Sequence, residues 1–221
     1  MDCICLAAGL GQRMNHTIPK QFLPLLGKPI IAYSLEALET VPEIDRIIVV
    51  YNKDFRQMYE ELFDNYNVSK CVLVEGGEMR QDSVWNGLKT VESEKVLLHE
   101  ASRPFITPDF VQSLFKYAQE KAVVPVIPIP FTVSVGNQYM TAELDRSLLH
   151  NVQLPQLFDA KTLRDAHNLA RRENYVATED GILVFRLGEK VRFVTGSENN
   201  IKIATPLDLI IAENLLRGID K

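Results

Sequence analysis

Short, almost wholly apolar runs recur along this chain, and each pair leaves room between them for one helix. The runs are Cys3-Ile4-Cys5-Leu6, Arg46 to Tyr51 (RIIVVY), Cys71 to Glu75, Lys95 to His99 (KVLLH) and Ala122 to Pro128. Helical spacing fills the intervals at Ile30 to Glu39, Phe55 to Tyr66, Arg80 to Val91 and Pro108 to Lys121. A strand that is apolar at successive positions is buried on both faces, and the helices between such strands supply the cover. Right-handed crossovers then lead to an α/β fold with a Rossmann-like, doubly wound, mostly parallel sheet. Its ligands sit beyond the carboxyl ends of the strands.

The rhythm breaks between Pro128 and Pro155. Two short β-prone runs, Thr132 to Val135 and Tyr139 to Thr141, flank the turn Gly136-Asn137-Gln138. No crossover helix fits there, so residues 129–155 read as a β-arm on a single domain of residues 1–221. Such an arm exposes Val133, Val135 and Leu144 unless a partner covers them, which points to a homodimer through the arm. The alternative is a hairpin folded back on its own domain. Beyond the arm come a helix at Ala160 to Arg172, a helical turn at Asp180 to Leu187, a strand at Val191 to Thr195 and a helix at Pro206 to Arg217. Thr205 is placed as the N-cap of that last helix.

Of the residues, 46% are apolar, enough for a sizeable core. The net charge of -5 argues against general nucleic-acid binding. No apolar run approaches a membrane span and no signal-peptide pattern opens the chain, so a cytoplasmic protein is expected. Cys3, Cys5 and Cys71 sit in apolar surroundings and read as reduced thiols.

The stretch with most chemistry is Leu6 to Lys20, LAAGLGQRMNHTIPK, which leaves the first strand. Ala7, Ala8, Gly9 and Gly11 let backbone N–H groups approach a ligand closely, and Arg13 and Lys20 add fixed positive charge. That combination suits a polyphosphate. A dinucleotide fingerprint would need its third glycine at Met14, and a P-loop would need Gly-Lys-Ser/Thr. An ordinary strand–helix turn is the remaining alternative.

Ala7-Ala8-Gly9-Leu10-Gly11-Gln12-Arg13-Met14, followed by Pro19-Lys20-Gln21-Phe22-Leu23, resembles the signature of the sugar nucleotidyltransferases. More narrowly, it is similar to the cytidylyltransferases acting on methylerythritol phosphate and ribitol phosphate. The likeness runs from Ile4 to Asn214. It implies CTP and an alcohol phosphate as substrates, Arg13, Lys20 and Lys202 as catalytic residues, and Mg²⁺ as cofactor. Lys202 belongs to Asn200-Ile201-Lys202, which resembles the family's C-terminal motif and would bring the lysine to the α-phosphate.

Three further segments fit the resemblance unevenly. In Gly76-Gly77-Glu78-Met79-Arg80-Gln81-Asp82-Ser83, the glycines allow tight approach and Ser83 can bond a base or ribose. Asp82 either accepts from an exocyclic amine or caps a helix. In His99-Glu100-Ala101-Ser102-Arg103-Pro104, Glu100 and Ser102 replace the family's aspartate and alanine. Ser102 falls in the nucleotide site and Glu100 at the place of the metal ligand. On the acceptor side, Thr132 and Arg146 match arm residues that hold the acceptor's phosphate in the other subunit. Thr178 and Asp180 match positions that bond its hydroxyls, or else cap the next helix. Phe131 and Leu154 depart from the family pattern there. The implied activity is cytidylyl transfer to 2-C-methyl-D-erythritol 4-phosphate, in isoprenoid precursor synthesis. The alternatives are ribitol 5-phosphate or another polyol phosphate or phosphonate, and a non-catalytic nucleotide-binding assembly domain. His16, His150 and His167 have no sequence partners and are expected on the surface or in packing.

Overall fold

A computed structural model describes residues 1–11, 14, 18–66 and 68–219. In chain order the elements are β1 (Asp2–Leu6), β2 (Pro24–Leu25), β3 (Lys28–Pro29), α1 (Ile30–Glu39), β4 (Arg46–Tyr51), α2 (Arg56–Tyr66), β5 (Cys71–Glu75) and α3 (Arg80–Leu88). Then follow β6 (Lys95–Glu100), α4 (Pro108–Phe115), β7 (Ala122–Pro128), β8 (Ser134–Gly136), β9 (Met140–Glu143), β10 (His150–Val152) and β11 (Gln156–Asp159). The chain continues with α5 (Ala160–Arg172), α6 (Asp180–Arg186), β12 (Val191–Thr195) and α7 (Pro206–Ile219).

Alternate residues of β1 show how the sheet is covered. Cys3 and Cys5 pack with Leu35 of α1, Leu62 of α2 and Val111 of α4. Ile4 packs with Val84 of α3, Leu163 of α5 and Val184 of α6. Successive strand side chains point to opposite faces, so an unbroken apolar run serves two cores at once. α7 lies outside both, and its Ala212 packs in a third cluster with Leu25 and Ile203.

β1 pairs in parallel with β4 and β6, β4 with β5, and β7 with β12. The parallel run is interrupted by two strands that the apolar pattern did not reveal. β11 lies antiparallel between β6 and β7, and β10 continues along the far end of β7. The four residues of β11 run directly into α5, so no separate period marks them. Two helices are also shorter than their sequence patterns. α3 ends when Thr90 Oγ1 bonds the Gly87 carbonyl at 2.8 Å, and α4 gives way to i to i+3 turns at Tyr117 and Ala118.

The hairpin β8–β9 forms the arm, and every residue of both strands is exposed. The chain rejoins the main sheet at His150, five residues before the expected end of the arm.

At the amino end of the sheet, Asp2 pairs with Arg46, its neighbour across the β1–β4 register. The guanidinium donates from Nε and Nη2 at 2.9 and 3.0 Å. Burial pushes this carboxyl up, but Arg46 and the Glu92 and Ser93 amides outweigh it and hold the group at about 2. A depressed carboxylate stabilises the fold above its unfolded value of about 4 and stops doing so as the pH falls through the folded value. Asp2→Asn is expected to cost about 1–3 kcal/mol at pH 7. Urea midpoints of the two proteins, measured down the pH scale, should converge between about pH 4 and pH 2.

Candidate active site

Parallel pairing brings the carboxyl ends of β1, β4, β5 and β6 to one edge. Leu6 lies opposite both Val50 and Glu100, and Tyr51 lies opposite Glu75. The loops leaving these strands enclose a cleft of two joined hollows, of ≈ 250 and ≈ 850 Å³. Ala7, Ala8, Gly9, Gly77, Arg80, Ser83, Glu100, Ser102 and Lys202 line the inner hollow. Gly11, Tyr51, Asn52, Lys53 and Gly76 line the outer one, and Lys20 borders both.

Two glycines are required by this geometry. Gly11 has φ +67°, and a Cβ there would lie 2.7 Å from the Lys20 stem. A Cβ on Gly76 would lie 2.6 Å from that of Ala8, so the loops after β1 and β5 can touch only without it. The first loop is also tied from below. Tyr59 of α2 donates to the Ala7 carbonyl at 2.7 Å, and the Gln21 amide donates to both groups.

The last wall is delivered by residues 200–204. Ile203 N–H donates to the Ser102 carbonyl at 2.8 Å, and buried Arg103 donates to the Asn200 carbonyl at 2.7 Å. Lys20 Nζ donates to the Ile203 carbonyl at 2.9 Å. Lys202 reaches back to Glu100, with Nζ 3.0 Å from Oε1 and 2.8 Å from Oε2. Burial raises the Glu100 carboxyl, but Lys202, Arg80 and Arg103 together bring it below its ordinary value, so it is ionised. His99, one residue earlier, is driven down to about 3 by burial and then by Arg103, and is a neutral packing residue.

Most of the expected nucleotide-site residues converge here: Ala7, Ala8, Gly9, Gly11, Lys20, Gly76, Ser83, Glu100, Ser102 and Lys202. Arg13 lies outside the described residues. Asp82 caps α3, its Oδ2 accepting the Met79 N–H at 3.2 Å. Asp180 is a correction. It is 1% exposed, and its oxygens meet Arg80 and His167, so it is not open to acceptor hydroxyls. Thr178 lies exposed on the loop before α6, outside the described lining of the cleft. Thr132 and Arg146 line a separate hollow on the arm. His167 is buried, as a packing residue would be, and Asp180 also holds its Nε2 at 2.9 Å. No local pattern singles out Arg80 or Gln21, although both lie inside the motifs.

Among the described residues no group of three or more His, Cys, Asp or Glu could hold a metal ion. A single ionised carboxylate facing the cleft does fit Mg²⁺ that is carried largely by phosphates, since this ion takes one or two carboxylates in such sites.

Residues 1–218 match the sequence model of the family described as 2-C-methyl-D-erythritol 4-phosphate cytidylyltransferase. The chain is similar to two proteins of that name. One, from Geobacillus kaustophilus, is 38% identical over 97% of this chain and 96% of its own. The other, from Clostridium botulinum, is 39% identical over 98% and 97%. Among solved structures, the 4-diphosphocytidyl-2C-methyl-D-erythritol synthase of Anaerococcus prevotii superposes with a TM-score of 0.86, at 29% identity over 98% of this chain and 97% of that one. The 2-C-methyl-D-erythritol 4-phosphate cytidylyltransferase of Thermus thermophilus superposes with a TM-score of 0.81, at 30% identity over 97% and 98%.

Proposed function

Because this chain belongs to the family of 2-C-methyl-D-erythritol 4-phosphate cytidylyltransferases, we infer that its cleft transfers the cytidylyl group of CTP to 2-C-methyl-D-erythritol 4-phosphate. The observation that carries this reading is the meeting of Lys20, Lys202 and Glu100 at one strand edge, beside glycine turns that admit a nucleotide.

In the reaction, a phosphate oxygen of the acceptor attacks the α-phosphorus of CTP. A new P–O bond forms, the bond to the β-phosphate breaks, and pyrophosphate leaves. The acceptor phosphate is already ionised, so positioning and charge stabilisation carry the rate and no strong base is needed. Lys20, with Arg13, stabilises the triphosphate and the departing pyrophosphate, and Lys202 stabilises the crowded α-phosphorus. Ser83 and the glycine turn at Gly76 seat the base and ribose. Glu100 would hold Mg²⁺ together with phosphate oxygens, and the ion would supply charge neutralisation there.

The acceptor's phosphate is assigned to Thr132 and Arg146 of a second copy, which makes the working unit a homodimer through the arm. Support comes from the arm's exposed apolar surface, with Phe131 at 76% and Tyr139 at 80% exposure. The double variant Phe131→Asp/Tyr139→Asp is expected to be monomeric by light scattering. It should keep its CTP affinity while kcat/KM for the acceptor falls at least about tenfold, the loss of one phosphate contact. A dimer with normal kinetics would dismiss the arm.

A cytoplasmic setting accords with three cysteines that form no disulfide. The activity is tested by pyrophosphate release with CTP and Mg²⁺ in the presence of 2-C-methyl-D-erythritol 4-phosphate, ribitol 5-phosphate or no acceptor. Release with the first alone is the expected result. Release with ribitol 5-phosphate alone would reassign the acceptor, and release with neither would refute the reading.

A further inference from the structure

Behind one wall of the cleft runs a line of buried polar groups that the reaction as described does not use. Arg80 opens α3 and faces the inner hollow. Its Nη1 donates to Asp180 Oδ2 at 2.7 Å, and its Nε lies 3.6 Å from Glu100 Oε1. Its Nη2 is buried with no hydrogen-bond partner among the described residues. Asp180 uses its other oxygen to hold Nε2 of His167, which is 0% exposed and lies on α5. The His167 ring stacks on Trp85 of α3, with ring centres 6.2 Å apart. Gln81, next to Arg80, grips the chain leading to α6: its amide donates to the Tyr175 carbonyl at 3.1 Å and accepts from Ala177 N–H at 3.0 Å.

A free arginine samples many rotamers. Braced between two carboxylates, it has given up that freedom before a ligand arrives, and ligand binding need not order it. Burial alone would raise the Asp180 carboxyl, yet Arg80 and His167 hold it below its ordinary value, so the brace is charged. The Arg80 side chain stays 30% exposed where it lines the inner hollow, so a nucleotide there can meet it.

We propose that Asp180 and His167 are positioning residues for nucleotide binding, which act through Arg80 by fixing its guanidinium in the cleft wall. The inference rests on the reading that CTP occupies this cleft. Neither residue touches substrate. His167 orients Asp180, Asp180 orients Arg80, and Arg80 meets the nucleotide.

The test measures CTP affinity by calorimetry, kcat and both KM values, and melting temperature. The proteins are the wild type, Asp180→Asn, His167→Leu, His167→Gln, Arg80→Met and Arg80→Met/His167→Leu. Asp180→Asn and His167→Leu should raise Kd and KM for CTP at least about fivefold, a coupling of ordinary size for contacting groups. The acceptor's KM should stay within about twofold, the scatter expected between independent sites. His167→Gln should recover most of the loss, because its amide can still donate to Asp180. In the Arg80→Met background, His167→Leu should add nothing to the CTP defect. Should His167→Leu fail to fold, Asp180→Asn, which keeps the shape of the side chain, carries the same readout. A rise in the acceptor's KM alone overturns the proposal and returns Asp180 to the acceptor. Unchanged constants with a lowered melting temperature overturn it in favour of a purely structural role. A further fivefold loss of CTP affinity on adding His167→Leu to Arg80→Met overturns the route. Each of these leaves the cleft reading standing, whereas a wild type that does not bind CTP removes both.

Discussion

Replacing Lys20 by alanine is expected to lower kcat at least about 100-fold, the size found for removing one preorganised charge-stabilising donor. The ammonium borders both hollows of the cleft and donates to the Ile203 carbonyl, so it is held in place before substrate binds. Its stem passes directly over Gly11, which has no Cβ to obstruct it. Preorganisation of that kind acts on charge that develops as pyrophosphate leaves, so the loss should fall on kcat more than on KM for CTP. The fold should survive, because the side chain is only half-buried. Lys20→Arg is not expected to restore the rate, since a planar fork does not replace a compact ammonium in so close a channel. Steady-state pyrophosphate release, with a melting curve for each variant, decides the matter. Near-normal turnover in Lys20→Ala would remove this lysine from the mechanism.

Lys202→Met should do two separable things. It removes the positive charge proposed to act at the α-phosphate, with an expected loss in kcat/KM on the order of 100-fold. It also strips Glu100 of the ammonium that meets both its oxygens, leaving Arg80 at 3.6 Å as its nearer ionic partner. A buried carboxylate deprived of its main partner destabilises a fold by about 1–3 kcal/mol. Neutralising both groups should undo only the second effect. The double variant Lys202→Met/Glu100→Gln is expected to regain most of the melting temperature lost in Lys202→Met and none of its activity. Recovery of both together would mean that Lys202 serves only to neutralise Glu100.

How much of this was legible in the chain depended on the kind of signal. The parallel strands were plain because each carries an apolar residue for both faces, as Cys3, Ile4 and Cys5 do. β11 was not, because Gln156–Asp159 has no run of its own and is defined by partners about 30 and 60 residues earlier in the chain. The nucleotide loops announced themselves through small residues and cations placed where a strand ends. The resemblance to known nucleotidyltransferases extended that to Lys202, which no local pattern would single out. Asp180 was misplaced for a physical reason. A carboxylate at the start of a short helix reads as a cap or a surface ligand, and only the tertiary arrangement of α3, α5 and α6 shows that it is paired on both sides. His167 looked inert for the same reason, because its partner is 13 residues away across a loop.

The segment 200–204 also carries a consequence for the order in which the protein becomes competent. It closes the cleft by bonding to Ser102, Arg103 and Lys20, groups translated far earlier. The central strands β1, β4, β5 and β6 are all present by residue 100, together with both glycine turns. A chain still being synthesised therefore has the strands and turns of the nucleotide site before it has Lys202. Until that residue is added, Glu100 faces the cleft without its ammonium partner. The growing chain thus holds Glu100 before it holds the ammonium that pairs with it, 102 residues further along.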